Sequence, residues 1–122
     1  MSEIRANTIS DAAGTGPITL TGQSAAKAWG QFNGTGTVAI SDSLNFASIT
    51  DGGTGVYTLN FSSNMANASY AANGSTGENS VNGFIRVGGT AASNIFVNSK
   101  SSTTGGLYDD SKIYIVAHGD LA

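Results

Sequence analysis

The chain has 122 residues, of which 11% are charged, with five Lys or Arg set against eight Asp or Glu and a net charge of -3. That length fits one domain, and the absence of cysteine excludes disulfides, thiolate metal centres and cysteine nucleophiles. A single histidine cannot build the usual His-rich zinc site within one chain, and so few cations cannot neutralise a run of phosphates, so neither nucleic acid nor membrane insertion is expected.

More than half of the residues are Gly, Ser, Thr, Asn or Ala. Such a composition suits short strands joined by tight turns rather than helices. Residues 1–7 offer no basic segment followed by an apolar one, so no secretory leader is expected there and a cytoplasm is the expected folding compartment. Residues 1–26 contain no aromatic until the texture changes at Lys27, and they hold the only proline, Pro17. Weak strand patterns at 4–9 and 18–21 flank a Gly- and Pro-rich turn. The segment lacks the apolar mass for a core of its own, so it reads as an extended arm lying on something else.

The body begins at Lys27. Residues 28–32 read as a strand, and Asn33-Gly34 before the next run at 37–40 is a hairpin signal. A strand is expected over 44–49, closed by the Asp51 to Gly55 turn. The clearest strand spans 56–61, where period two places Tyr57, Leu59 and Phe61 on one face. Further runs at 68–71, 81–87 and 94–98 precede a polar loop and a last strand at 113–117. There Ile113, Ile115 and Ala117 share one face, and Tyr114, Val116 and His118 share the other. The stretch from Asn73 to Glu78 reads as flexible. About seven short strands with turn signals every 8–12 residues or so predict an all-β, small antiparallel β-sandwich, jelly-roll-like, with an extended N-terminal arm. Trp29, Phe32, Phe46, Tyr57, Phe61, Phe84 and Phe96 are the aromatic core candidates. Tyr70 and Tyr108, beside polar loops, are the candidates for an exposed, receptor-facing role.

Catalytic constellations are poorly supplied. Gly34-Thr35-Gly36-Thr37-Val38-Ala39 has the spacing of a dinucleotide loop, but a β-branched run follows where that chemistry needs a helix. A Ser-His-Asp triad would have to use His118, and no G-x-S-x-G elbow exists. His118 reads more simply as a strand-end residue; in a trimer, three copies would be able to meet at the axis. Asp109-Asp110, with Asp42 and Asp51, would offer oxygen ligands to Ca²⁺, yet no D-x-D-x-D-G loop is present. Glu3 and Glu78 are the only glutamates, which leaves no evident carboxylate pair for glycoside hydrolysis. No catalytic residue, cofactor or metal site is assigned. Three Gly-Thr-Gly turns, at Gly14, Gly34 and Gly53, have unlike flanks and do not form a repeat.

The opening Ile4-Arg5-Ala6-Asn7-Thr8-Ile9-Ser10-Asp11-Ala12-Ala13-Gly14-Thr15-Gly16 resembles the N-terminal segment of tail-fibre and virion-appendage proteins of tailed bacteriophages, including cyanophages and other aquatic phages. The run from Ala26 to Val38, and that from Ser48 through Phe61 to Tyr70, resemble the start of the globular part of the same proteins. The resemblance covers roughly the first 70 residues, and the rest follows only in texture. It implies that Ile4, Arg5, Asn7, Ile9 and Asp11 belong to a virion-attachment arm (residues 1–26), and that residues 27–122 form a knob, as a homotrimer. Other virion proteins and a host-surface glycan are the implied partners, and the virion is the implied location. The linker after Gly-Thr-Gly-Pro is shorter than in larger relatives, so a short appendage, a capsid decoration or head fibre, and a lectin-like carbohydrate-binding module stand beside the tail fibre as alternatives.

Overall fold

The computed structural model describes residues 25–77 and 83–122. The expectations for the arm, including Ile4, Arg5, Asn7, Ile9 and Asp11, and for Glu78, lie outside the described residues. Within them there is no helix. Eight strands follow one another: β1 (Ala28–Asn33), β2 (Ala39–Leu44), β3 (Phe46–Asp51), β4 (Val56–Phe61), β5 (Ala71–Thr76), β6 (Gly83–Ala91), β7 (Asn94–Ser101) and β8 (Ile113–His118). They form two four-stranded sheets, ordered β2-β1-β8-β5 and β3-β4-β7-β6, with every pairing antiparallel. The fold is the expected antiparallel β-sandwich.

Side-chain alternation explains how the layers close. On β4, Tyr57, Leu59 and Phe61 point inward; on β8, Ile113, Ile115 and Ala117 do so. With Phe32, Phe46, Ile95, Val97 and Met65 they form one buried cluster. Its aromatic contacts are Phe32 edge-on to Tyr57 (5.0 Å), Phe46 stacked on Phe61 (5.4 Å) and Phe61 edge-on to Tyr70 (5.8 Å). Such pairs add about 0.5–1.5 kcal/mol each beyond the area they bury.

Two expected elements come out differently. The run at 44–49 is not one strand. Asn45 adopts φ 62° and turns the chain from one sheet to the other between β2 and β3. Asn tolerates this left-handed conformation better than most residues. Its side chain also anchors the corner: the amide donates to the Ser63 carbonyl (2.9 Å) and its Oδ1 accepts from the Ser63 N–H (2.7 Å). The second difference is at 68–76, where the strand expected at 68–71 is displaced to Ala71–Thr76. The Asn73–Thr76 part of the stretch read as flexible is therefore ordered edge strand. It is held by its register along β8, from Ala71 opposite His118 to Thr76 opposite Ile113. Glycine makes the close approach possible, since a Cβ on Gly74 would stand 2.5 Å from both the Ile115 Cδ1 and the Tyr114 carbonyl oxygen.

Candidate functional site

The two outer faces of the sandwich differ in chemistry. Outside the β3-β4-β7-β6 sheet, Ser48, Thr50, Thr58 and Asn60 stand on neighbouring strands, and the Asn60 amide donates to the Ser48 hydroxyl (3.1 Å). Phe96, an expected core residue, is half-buried on this outer face. Its ring covers Gly88, where a Cβ would lie 2.6 Å from Cδ1.

The outer face of the β2-β1-β8-β5 sheet carries large side chains. On β1, Ala28, Gly30 and Phe32 turn inward, so period two sends Trp29 and Gln31 out. Trp29 is 40% exposed and therefore not a core residue; Phe84, 44% exposed, is likewise outside the core. On β8 the outward residues are Tyr114, Val116 and His118, and on β5 they are Ala71, Asn73 and Ser75. The registers align these into rows across three strands: Trp29, Val116 and Asn73 in one, Gln31, Tyr114 and Ser75 in the next. Exposed Leu44 extends the first row on β2.

Between the rows runs a groove of about 350 Å³ lined by these six residues, toward the small end of the roughly 300–1,000 Å³ range of ligand clefts. Gly30 and Gly74 contribute to it from either side of Ile115. Both glycines are required from within, because a Cβ on Gly30 would stand 2.9 Å from the Phe46 ring and one on Gly74 would strike Ile115. The Tyr114 ring lies against Gly77, where a Cβ would approach Cε2 to 2.5 Å. Among the described residues, no charged side chain lines the groove. Its chemistry is two aromatic rings, two carboxamides and a hydroxyl on a hydrogen-bonded sheet, suited to binding an uncharged, partly apolar group.

The two tyrosines expected to face a receptor are engaged inside the fold. Tyr70 is half-buried against Phe61, and its hydroxyl donates toward the carbonyls of Ala91 (3.0 Å) and Asn94 (2.9 Å). The Tyr108 hydroxyl donates to Asp110 Oδ2 (2.9 Å), and its ring occupies the space beside Gly83. The exposed aromatics of the β2-β1-β8-β5 face are instead Trp29 and Tyr114. The signal for it was present: residues 29 and 32 cannot share a strand face, so a buried Phe32 puts Trp29 outside. His118 faces outward at the end of β8, opposite Ala71 on β5.

The acidic pair of the last loop has a structural task. Asp109 Oδ1 accepts from the Gly55 N–H (2.7 Å) and the Tyr57 hydroxyl (2.8 Å). Asp110 is fully buried; its carboxylate accepts from Tyr108 and from the Lys112 N–H (3.0 Å), and its carbonyl accepts from the Gly34 N–H (2.8 Å). The Asp109 carboxylate thus ties the loop to β4 and the turn before it, the Asp110 carbonyl ties it to the β1–β2 turn, and the Asp110 carboxylate braces the loop from within. Burial, reinforced by the Asp109 hydrogen bond, pushes the Tyr57 phenol far above its ordinary range. Burial also raises Tyr70, and burial with the Asp110 hydrogen bond raises Tyr108.

These phenols make alkaline stability a test of the loop. Unfolded tyrosines release protons near pH 10 while the folded chain retains them. Stability is therefore expected to be level up to about pH 10 and to fall above it, with a slope approaching 1.4 kcal/mol per pH unit for Tyr57 alone. Urea midpoints measured between about pH 8 and about pH 11.5 should show this decline, and Tyr57→Phe should make it shallower. A midpoint that is level across that range would contradict it.

Compared with family models, curated proteins and solved structures, the chain matches none of them.

Proposed function

We propose that this chain is a structural protein of a tailed-phage particle, a short tail fibre or appendage that works by binding and not by catalysis. In this reading residues 1–26 attach it to the particle, and the sandwich at 27–122 is a homotrimeric knob whose β2-β1-β8-β5 face meets the host surface. The exposed Trp29–Tyr114 groove is the observation that carries the attachment role, because large aromatic side chains on a rigid sheet are the usual anchors of recognition. The opening sequence supports the particle assignment through its resemblance to virion-appendage arms. The engagement of Asp109 and Asp110 by backbone and phenol donors favours binding over acid–base chemistry. Three copies per knob and many knobs per particle would let each groove bind weakly and the assembly bind firmly.

Antibodies raised against the purified protein are expected to decorate intact particles of the phage that encodes it and to block their adsorption. Light scattering of the free protein should give the mass of three subunits. Undecorated particles would overturn the virion assignment. Decoration without any loss of adsorption would favour a capsid decoration protein, and a monomeric mass would overturn the trimeric knob.

A further inference from the structure

We infer that the groove between Trp29 and Tyr114 binds an uncharged sugar ring, such as the terminal hexose or N-acetylhexosamine of a surface glycan. This rests on the attachment reading above and names the ligand class of that same face. A pyranose presents a flat patch of C–H groups and a rim of hydroxyls. It therefore calls for an aromatic surface beside groups that both donate and accept hydrogen bonds. Trp29 supplies the first at 40% exposure, with Tyr114 at 38% on the diagonally neighbouring position of β8. Diagonal positions on adjacent strands lie roughly 7–8 Å apart, within reach of one ligand for side chains of this size. Gln31 and Asn73 supply the second, since each carboxamide carries two donors and an acceptor, and Ser75 adds a hydroxyl.

The uncharged lining that the described residues supply decides between sugar classes. A carboxylated or sulfated sugar would bring an anion to a groove lined by no cation among the described residues, leaving its desolvation uncompensated. The register also places Asp42 on β2 directly opposite Gln31, so the nearest charge along that row repels anions. A neutral ring needs only the hydrogen bonds that the amides and the hydroxyl provide. The floor is preformed, because Gly30 and Gly74 are held by packing against Phe46 and Ile115, so little ordering is required on binding.

Trp29 is the sole tryptophan of the chain, so its fluorescence reports this groove directly. The full-length protein should be titrated with neutral probes (methyl mannoside, lactose, maltose and N,N′-diacetylchitobiose) and with anionic ones (sialyllactose and oligogalacturonate). A saturable change in emission is expected with at least one neutral probe, with the anionic probes weaker. Isothermal titration with that probe should show Tyr114→Ala and Trp29→Ala each weakening binding about tenfold or more. Trp29→Phe should retain most of it, and Asn73→Ala and Gln31→Ala should fall between. All four positions are on the surface, and unchanged urea midpoints will separate lost binding from lost folding. No saturable change with any neutral probe, stronger binding of an anionic one, or binding that survives Trp29→Ala would each overturn the proposal. So would an indole already shielded from acrylamide in the free protein, which would mean that another copy covers the face. If Trp29→Ala abolishes adsorption of the protein to host cells while no neutral sugar binds, the sugar assignment fails and the attachment reading stands. If adsorption also survives the substitution, both fail.

Discussion

Replacing Tyr57 with alanine is expected to remove about 4–8 kcal/mol of stability. The residue is fully buried and belongs to two systems at once. Its ring meets Phe32 edge-on across the two sheets at 5.0 Å. Its hydroxyl donates to Asp109 Oδ1 at 2.8 Å and lies 3.2 Å from the Gly34 carbonyl. Removing a buried aromatic side chain costs about 3–5 kcal/mol through lost transfer energy and the cavity left behind. Depriving Asp109 of a donor adds about 1–3 kcal/mol. Against a total stability on the order of 5–15 kcal/mol, that sum is about half or more. Tyr57→Phe keeps the ring and loses only the hydroxyl, so it should cost about 1–3 kcal/mol and remain folded. Asp109→Ala removes the acceptor of both Tyr57 and the Gly55 N–H and should lie between the two. Urea unfolding followed by near-ultraviolet circular dichroism orders the three variants. A loss below about 2 kcal/mol for Tyr57→Ala would mean that the loop holds itself to β4 by other contacts.

Much of this architecture is written in period-two alternation. The inward faces of β4 and β8 are evident from residues 56–61 and 113–117 alone, because each carries three apolar residues at every second position. The hairpin at Asn33-Gly34 is also present, with β1 paired to β2. Its loop is longer than a two-residue turn, and Asn33 Oδ1 accepts from the Thr35 N–H and hydroxyl. What alternation does not reveal is where a continuous apolar run changes sheet. Leu44-Asn45-Phe46 reads as strand, and only a left-handed Asn45 tied to Ser63, 18 residues away, converts it into a corner. Edge strand β5 was hidden for the opposite reason. Ala71-Ala72-Asn73-Gly74-Ser75-Thr76 has little intrinsic strand preference, and its order comes from β8, which lies more than 35 residues further on. The groove depends on that same pairing. Two of its three polar groups, Asn73 and Ser75, sit on a strand that local sequence does not announce, and the third, Gln31, becomes visible once Trp29 is assigned to the outer face. The structural role of Asp109 and Asp110 was hidden likewise, because their partners Tyr57 and Gly34 are 52 and 76 positions distant.

Gly55 and Gly36 separate two reasons for which a glycine is needed, and alanine at each should give sharply different losses. The two have nearly the same backbone conformation, with φ of 64° and 62°. A Cβ at Gly36 would enter open space, so Gly36→Ala should cost only the left-handed penalty of about 1–2 kcal/mol. A Cβ at Gly55 would stand 2.6 Å from the Ser99 carbonyl oxygen and 2.7 Å from the Tyr108 nitrogen, both of them backbone atoms. Relief would require the β3–β4 turn to part from β7 and from the last loop. That movement would strain the Ser99 N–H bond to the Gly55 carbonyl (2.9 Å) and the Gly55 N–H bond to Asp109 (2.7 Å). Gly55→Ala should therefore cost at least about 2 kcal/mol more than Gly36→Ala. It should also make the 102–112 loop more sensitive to protease, since that loop shares the broken contacts. Paired urea titrations give the difference directly. Equal losses at the two positions would mean that the turn and the loop can separate without penalty, and the Tyr57–Asp109 tie would then not be what holds this end of the sandwich closed.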